Sequence, residues 1–341
     1  MSLFPRATVL GYPRIGPNRE TKKAVEAMWA GRASAQETAD ALAAVRAGTR
    51  ARLTELGLDV QPADFSAYDQ VWDISSSLGI VPARFSELGT GPLDLAGYFT
   101  VARGEGARPP LEMTKWFDSN YHYLVPEIGP ETEIRLVDDR VVELATEAPN
   151  LRPVVVGPVT LALLAKAAEG APEGFSPLDR FDEIVAAYVT LLARLAAAGV
   201  EWVQLDEPAL AADWPVDVPA LVTRAYGALA SRVERPKLLV AATYGELREN
   251  LAPLAETAID AVGLDLVRGT IPDDVELFAG RTVVAGVVSG RNVWRNDLRA
   301  SAAVLDELRA RLGADTHVAV ASSTSLQHVP HDVTRETALP A

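Results

Sequence analysis

Short apolar runs recur along this chain. Each is followed by a longer stretch whose apolar positions fall three and four residues apart. The runs at 7–10, 63–68, 152–156, 201–205, 237–242, 261–266, 282–288 and 316–322 predict eight strands. The stretches at 19–30, 34–56, 177–198, 219–233, 246–256 and 297–312 predict helices. Within 177–198, Phe181, Ile184, Val185, Tyr188, Leu191, Leu192 and Leu195 trace one continuous face. Val154-Val155-Val156 and Val283-Val284-Ala285 are apolar at successive positions, the pattern of strands buried on both faces. Strands alternating with helices predict an α/β fold with a parallel sheet, and eight such units predict a (β/α)8 barrel of the TIM type. Residues 86–149 break the alternation. Gly89-Thr90-Gly91-Pro92 and Arg108-Pro109-Pro110 mark them as an insertion between the second and third strands. The expected organisation is a single barrel domain over 1–337, with 338–341 frayed.

Composition narrows the setting. The 341 residues are 48% hydrophobic and 23% charged, normal for a globular chain with a sizeable core. The longest apolar run, near 154–168, is broken by Gly157, Pro158 and Lys166, so no membrane span is expected. The first ten residues lack the apolar core and cleavage site of a signal peptide. Cysteine is absent, which excludes disulfides, thiolate ligands and thiol nucleophiles. Together these features predict a cytoplasmic protein. The net charge of −14 argues against nucleic acid as a partner. No dinucleotide-binding glycine pattern opens a helix.

Against that acidic background the segment GYPRIGPNRETKK, residues 11–23, stands apart. The first 23 residues hold Arg6, Arg14, Arg19, Lys22 and Lys23 against one acid, Glu20, and two of the chain's five lysines are adjacent here. Asn18 is the expected N-cap of the first helix, and Arg19 and Lys22, three apart, share a face of its first turn. A helix N-terminus adds partial positive charge, which suits a small anion with several negative groups. A solvated helix start accounts for the same residues equally simply. The run 112–123 gathers Lys115, Trp116, Phe117, Tyr121, His122 and Tyr123, suited to an anion beside a planar ring or to a packing hairpin with a half-buried His122. The strand at 201–205 ends in Asp206-Glu207-Pro208. Adjacent carboxylates on a strand face opposite sides, so one at most points to a barrel mouth. Each is a candidate acid, base or ammonium holder, or a loop-fixing acceptor of backbone N–H groups. Arg291 and Asn292 lie in the same expected ring of loops. His328 and His331 flank Pro330, with no thiolate to complete a zinc set, so no metal is assigned to this chain.

These residues resemble the N-terminal half of the cobalamin-independent methionine synthases, the 5-methyltetrahydropteroyltriglutamate–homocysteine methyltransferases. The matching stretches are LGYPRIGPNRETKK at 10–23, Trp29-Ala30-Gly31, 64–69 and Val81-Pro82-Ala83-Arg84. They continue with EMTKWFDSNYHYLVP at 112–126, GPVT at 157–160, EWVQLDEPAL at 201–210, SGRNVW at 289–294 and 320–325. The resemblance covers essentially the whole chain. It implies the first of two face-to-face (β/α)8 barrels. It further implies that Arg19, Glu20, Thr21, Lys22 and Lys115 hold the tail of 5-methyltetrahydropteroyltri-L-glutamate. In the family the catalytic zinc and the homocysteine site belong to the second barrel. The corresponding strand ends here are Thr243-Tyr244, Asp265 and Ser323-Thr324, without cysteine or histidine. The resemblance therefore implies no catalytic residue and no cofactor in this chain, and a C-terminal zinc-bearing catalytic barrel as partner, in cis or in trans. A linker to it is expected near 336–341. Methyl transfer to homocysteine, in methionine biosynthesis, is expected only with that partner. Two other readings stay open: a stand-alone folate-binding or scaffold barrel, and a decarboxylase-like lyase using Asp206, Glu207, Arg291 and Asn292.

Overall fold

The structure, a computed structural model, describes residues 4–64, 66–332, 334 and 338. Eleven strands are named in chain order: β1 (Gln61–Ala63), β2 (Met113–Lys115), β3 (His122–Leu124), β4 (Glu127–Ile128), β5 (Leu151–Val156), β6 (Lys166–Ala167), β7 (Trp202–Asp206), β8 (Lys237–Ala242), β9 (Ala261–Asp265), β10 (Thr282–Val288) and β11 (His317–Ser322). Seven of them form one parallel sheet in the order β1-β5-β7-β8-β9-β10-β11. Each neighbour follows in sequence after an intervening helix or turn, as parallel pairing requires. The two remaining pairs are the antiparallel hairpin β2–β3 and the short parallel pair β4–β6.

The helices are α1 (Glu20–Trp29), α2 (Ala35–Glu55), α3 (Gln70–Ser77), α4 (Leu95–Arg103), α5 (Arg140–Thr146), α6 (Pro158–Leu164), α7 (Phe181–Ala197), α8 (Val218–Ala230), α9 (Leu251–Ala255) and α10 (Leu298–Leu312). None among the described residues is long and apolar enough to cross a membrane.

The two sheet faces separate by the period of two. On β8, Leu238, Val240 and Ala242 join the large core beneath the helices, with Phe181, Ile184, Tyr188, Leu221 and Leu229. Leu239 and Ala241 turn the other way, into a smaller cluster with Phe4, Leu10, Trp202, Ala261, Val284, Ala319 and Ala321. Phe4 packs edge-on against Trp202 at 4.9 Å. Arg152 and Gln204 lie fully buried. Burial of both faces explains why these strands read as unbroken apolar runs.

Several expectations shift. The predicted strand 7–10 is a single parallel bridge, Ala7 to Val320, supported by Thr8 N–H to the Val320 carbonyl and Val320 N–H to the Arg6 carbonyl. Its other polar groups are met by side chains: Arg152 donates to the Val9 carbonyl at 2.9 Å and Gln204 to the Leu10 carbonyl at 2.8 Å. The strand predicted at 63–68 ends at Ala63, because Asp64 and Ser66 turn the chain into α3. Helix 246–256 is a 3-10 turn (Arg248–Asn250) followed by the five-residue α9. Residues 86–149 carry α4, the β2–β3 hairpin, β4 and α5.

Candidate functional site

Three loops converge where the sheet strands end. Gly11 has no room for a side chain: a Cβ there would collide with Ser325 and Asp64. This close approach lets the Tyr12 N–H donate to Asp64 Oδ2 at 2.8 Å and the Leu326 N–H to the Gly11 carbonyl at 3.2 Å. The first loop thus docks on the ends of β1 and β11.

Arg14, on that loop, donates to the Tyr121 phenol oxygen at 3.2 Å. The Tyr121 hydroxyl faces the Tyr68 carbonyl and Asp69 Oδ1, each at 3.0 Å. Asp69 is the N-cap of α3, accepting from the Trp72 N–H at 2.8 Å, and it also accepts from the Leu124 N–H. The Tyr121 ring stacks on His328 at 4.3 Å. Burial, and after it Arg14, push His328 down to about 3, so its ring is neutral. The β2–β3 hairpin is therefore fastened to both the first and the last loop. It is fastened on another side by Arg291, which donates to the Asp118 carbonyl and pairs with the Asp118 carboxylate at 2.5 Å. Phe117 stacks on Tyr244 at 6.1 Å.

Behind these loops lies a cavity of about 290 Å3. Asp64, Asp206, Arg14, Trp116, Tyr244 and Gln327 are among its walls. Asp206 accepts from Gln204 Nε2 at 2.6 Å. Burial pushes Asp206 up to about 7, and the charge of nearby Asp64 pushes the same way. Asp64 is likewise pushed up to about 7 by burial. Glu207 faces the other side of the sheet, fully buried beneath α6 and α8. Its carboxylate accepts the N–H groups of Val159 at 3.0 Å and Thr160 at 2.7 Å, and the Tyr226 hydroxyl at 2.7 Å. Glu207 thus anchors the start of α6, the loop-fixing role that adjacent carboxylates left open. Asn292 bonds Ser289 and the Trp294 N–H, closing a local turn. Of Asp206, Glu207, Arg291 and Asn292, the cavity walls include Asp206 alone.

The residues expected to hold an anionic tail lie around the start of α1. Arg19, not Asn18, is the N-cap. It sits in the left-handed region at φ 62° and makes no side-chain cap. Glu20 turns back to accept the Asn18 N–H and side-chain amide, both at 2.9 Å, which takes Asn18 away from capping. Arg19 therefore precedes the first helical turn and does not share a helical face with Lys22. Thr21 is buried and donates to the Arg14 carbonyl at 2.6 Å. Lys22 is exposed, 3.7 Å from Glu26. Lys115 is exposed on the hairpin and pairs across it with His122, which is exposed rather than half-buried because Tyr123 takes the inward position. Asp64 and Asp69 stood in the sequence as the ends of the matching stretch 64–69, with no role assigned to either, and Arg152 only as the first residue of a predicted strand. An arginine inside the strand Leu151–Val156 was the available signal for the last.

The fold and the cavity define a parallel α/β protein with a mainly apolar pocket, set with a few buried acids, at the carboxyl ends of its strands. The chain belongs to the cobalamin-independent synthase family, whose N-terminal domain profile matches residues 6–313. It is 47% identical to the 5-methyltetrahydropteroyltriglutamate–homocysteine methyltransferase of Mycolicibacterium paratuberculosis, over 98% of this chain and 44% of that one. It is also 47% identical to the enzyme of the same name from Streptomyces coelicolor, over 97% of this chain and 44% of that one. The chain thus spans less than half the length of these relatives. A B12-independent methionine synthase structure from Shewanella sp. W3-18-1 matches its fold with a TM-score of 0.64 at 17% identity, covering 98% of this chain and 94% of that one.

Proposed function

We propose that this chain is the half of a cobalamin-independent methionine synthase that holds the polyglutamate tail of 5-methyltetrahydrofolate. One observation carries the reading. The start of α1 presents Arg19, Lys22 and Lys23 to solvent, and its N-cap residue Arg19 makes no side-chain cap, in a chain of net charge −14. An anion there meets three cations at the positive end of the helix dipole. In this reading Lys115 reaches the tail from the hairpin, Arg19 and Lys22 from α1, while Glu20 and Thr21 shape the loop between them. The Arg14–Tyr121 hydrogen bond keeps the two cationic arms at a fixed spacing.

The same reading closes the sheet. Residues 6–12 contact both edges, β11 through the Ala7 bridge and β1 through Asp64, and take the place of the eighth strand of a (β/α)8 barrel. Methyl transfer from folate to homocysteine then requires a zinc-bearing catalytic barrel beyond this chain, so residues 1–341 alone are inactive. Titration with monoglutamyl and triglutamyl folate tests the tail role. The triglutamate binds more tightly, and Lys22→Ala and Lys115→Ala each remove part of that advantage. Equal affinity for the two folates overturns the reading, and zinc-dependent turnover by this chain alone overturns its inactivity.

A further inference from the structure

The cavity holds more polar capacity than the fold uses. Asp64 Oδ1, Gln70 Oε1, Ser77 Oγ and Gln327 Nε2 are shielded from solvent and make no hydrogen bond among the described residues. All four residues line the cavity, and Ser77 is only 1% exposed. Buried polar atoms of this kind are normally satisfied, and each one left open costs free energy that a ligand can recover.

The charges around the cavity decide which ligand fits. Both acids line the cavity, and Asp64 lies near enough to Asp206 to oppose its ionisation. Arg152 on β5 favours the ionised form of both, and Arg14 favours that of Asp64. Glu207, next along the chain from Asp206, opposes it. On the α3 side, Asp69 and Asp73 compete for Arg14. Of the other cavity cations, Arg46 is committed to Glu147, and Arg140 donates to the Leu93 carbonyl. His328 is neutral. The Asp64–Asp206 end thus holds two buried carboxyl groups whose ionised forms an added positive charge favours. Trp116 and Tyr244 line the same space, and aromatic faces attract organic cations. The volume of about 290 Å3 suits a ligand of amino-acid size and is too small for a nucleotide.

We propose that this cavity binds a small organic ammonium compound, an amine or an amino acid, its ammonium group between Asp64 and Asp206 and its carbon skeleton against Trp116 and Tyr244. The ammonium end of the site lies apart from the exposed cations of α1, although Thr21 lines another part of the same cavity, and the proposal stands whether or not the folate tail binds at α1.

Calorimetric titration of the 341-residue chain tests it with three probes: butylammonium, 2-aminobutyrate and potassium chloride. Butylammonium carries the ammonium alone, and 2-aminobutyrate adds a carboxylate. At least one of the two binds, and binding releases protons because the cation drives the carboxylates to ionise. Affinity rises about tenfold from pH 6 to pH 8 for each carboxylate that ionises, since a group near pH 7 passes from about one-tenth to about nine-tenths charged. Asp206→Asn and Asp64→Asn, each close in shape to the protonated acid, weaken binding at least tenfold. Carbon-13 spectra of the Asp206 carboxyl show its titration moving to lower pH with ligand, a readout that does not depend on the variants folding. Tighter binding of 2-aminobutyrate assigns the site to amino acids, and tighter binding of butylammonium assigns it to amines; both support the proposal. Absence of binding by both ammonium probes, equal binding of potassium, or affinity unchanged in both variants overturns it.

Discussion

Arg14 and Tyr121 lie 107 residues apart in sequence and meet through a 3.2 Å hydrogen bond from guanidinium to phenol oxygen. The same hydroxyl shares its one proton between the Tyr68 carbonyl and Asp69, so one side chain joins the first loop, the start of α3 and the β2–β3 hairpin. Tyr121→Phe keeps the ring on His328 and deletes only the oxygen. We expect a loss of about 1–3 kcal/mol in urea unfolding, because Arg14 and Asp69 lose a buried partner. The hairpin bearing Lys115 also loosens, so discrimination between triglutamyl and monoglutamyl folate falls with it. A variant as stable as the parent would show that stacking on His328 suffices to hold the hairpin.

Arg152 is a second long-range fastener. Buried at the base of the inner cluster, it donates to Gln204, to the Thr8 hydroxyl at 2.9 Å and to the Val9 carbonyl. It is also the cation that favours ionised Asp64 and Asp206. Arg152→Met leaves those acceptors and charges without their partner and is expected to cost about 3–5 kcal/mol. Arg152→Lys rescues little, since an ammonium cannot reproduce the planar fork that spans the three acceptors. Hydrogen exchange then shows residues 6–12 opening before the rest of the sheet. Exchange that stays uniform across the sheet would contradict the fastening role.

Adjacent Asp206 and Glu207 are expected to behave oppositely. Glu207 receives two N–H groups at the start of α6, and Gly157 lies so close that a Cβ would strike the Glu207 side chain. Glu207→Gln weakens the N-terminal anchoring of α6, and Gly157→Ala displaces the carboxylate; each costs about 1–3 kcal/mol. Neither changes folate affinity measurably in the folded protein. A large affinity loss with normal stability would give Glu207 a ligand role and refute its purely structural one.

Much of the sheet was legible because burial on both faces leaves an unmistakable apolar run. The predicted 282–288 is β10 to the residue. Residues 7–10 show the limit of that signal. They are apolar enough for a strand, but their hydrogen bonds go largely to side chains of Arg152, Gln204 and Ser322, which no local pattern reveals. Helix α3 escaped notice because it ends in Ser75-Ser76-Ser77, poor helix formers held by the Asp69 cap and by Ser75 bonding back to the Val71 carbonyl. Asp206 was legible as a candidate acid, but its pairing with Asp64 was not, for a different reason. Asp64 and Asp206 become a pair only when loops far apart in sequence meet, so their burial is a property of the assembled fold. The exposed cations at the start of α1 were legible because local charge contrast needs no tertiary contact.

The buried acids predict an unusual dependence of stability on pH. Burial is the main force raising Asp64, Asp69 and Asp206 from the ordinary 3.8 to about 7. Between those values the folded chain holds protons that the unfolded chain has released. The stability these groups contribute is therefore complete at low pH and is lost as pH rises through about 7. His328 runs the other way: its titration falls from 6.5 to about 3, so its contribution is present above pH 6.5 and lost on acidification. Three aspartates outweigh one histidine below pH 6.5, and above it the aspartates act alone. Melting temperature should therefore decline between pH 6 and pH 8. Asp206→Asn removes one titrating group and lessens the slope below pH 7 by up to about 1.4 kcal/mol per pH unit. A melting temperature that rises from pH 6 to pH 8, with the same slope in Asp206→Asn, would show that Asp206 is already ionised in the folded chain.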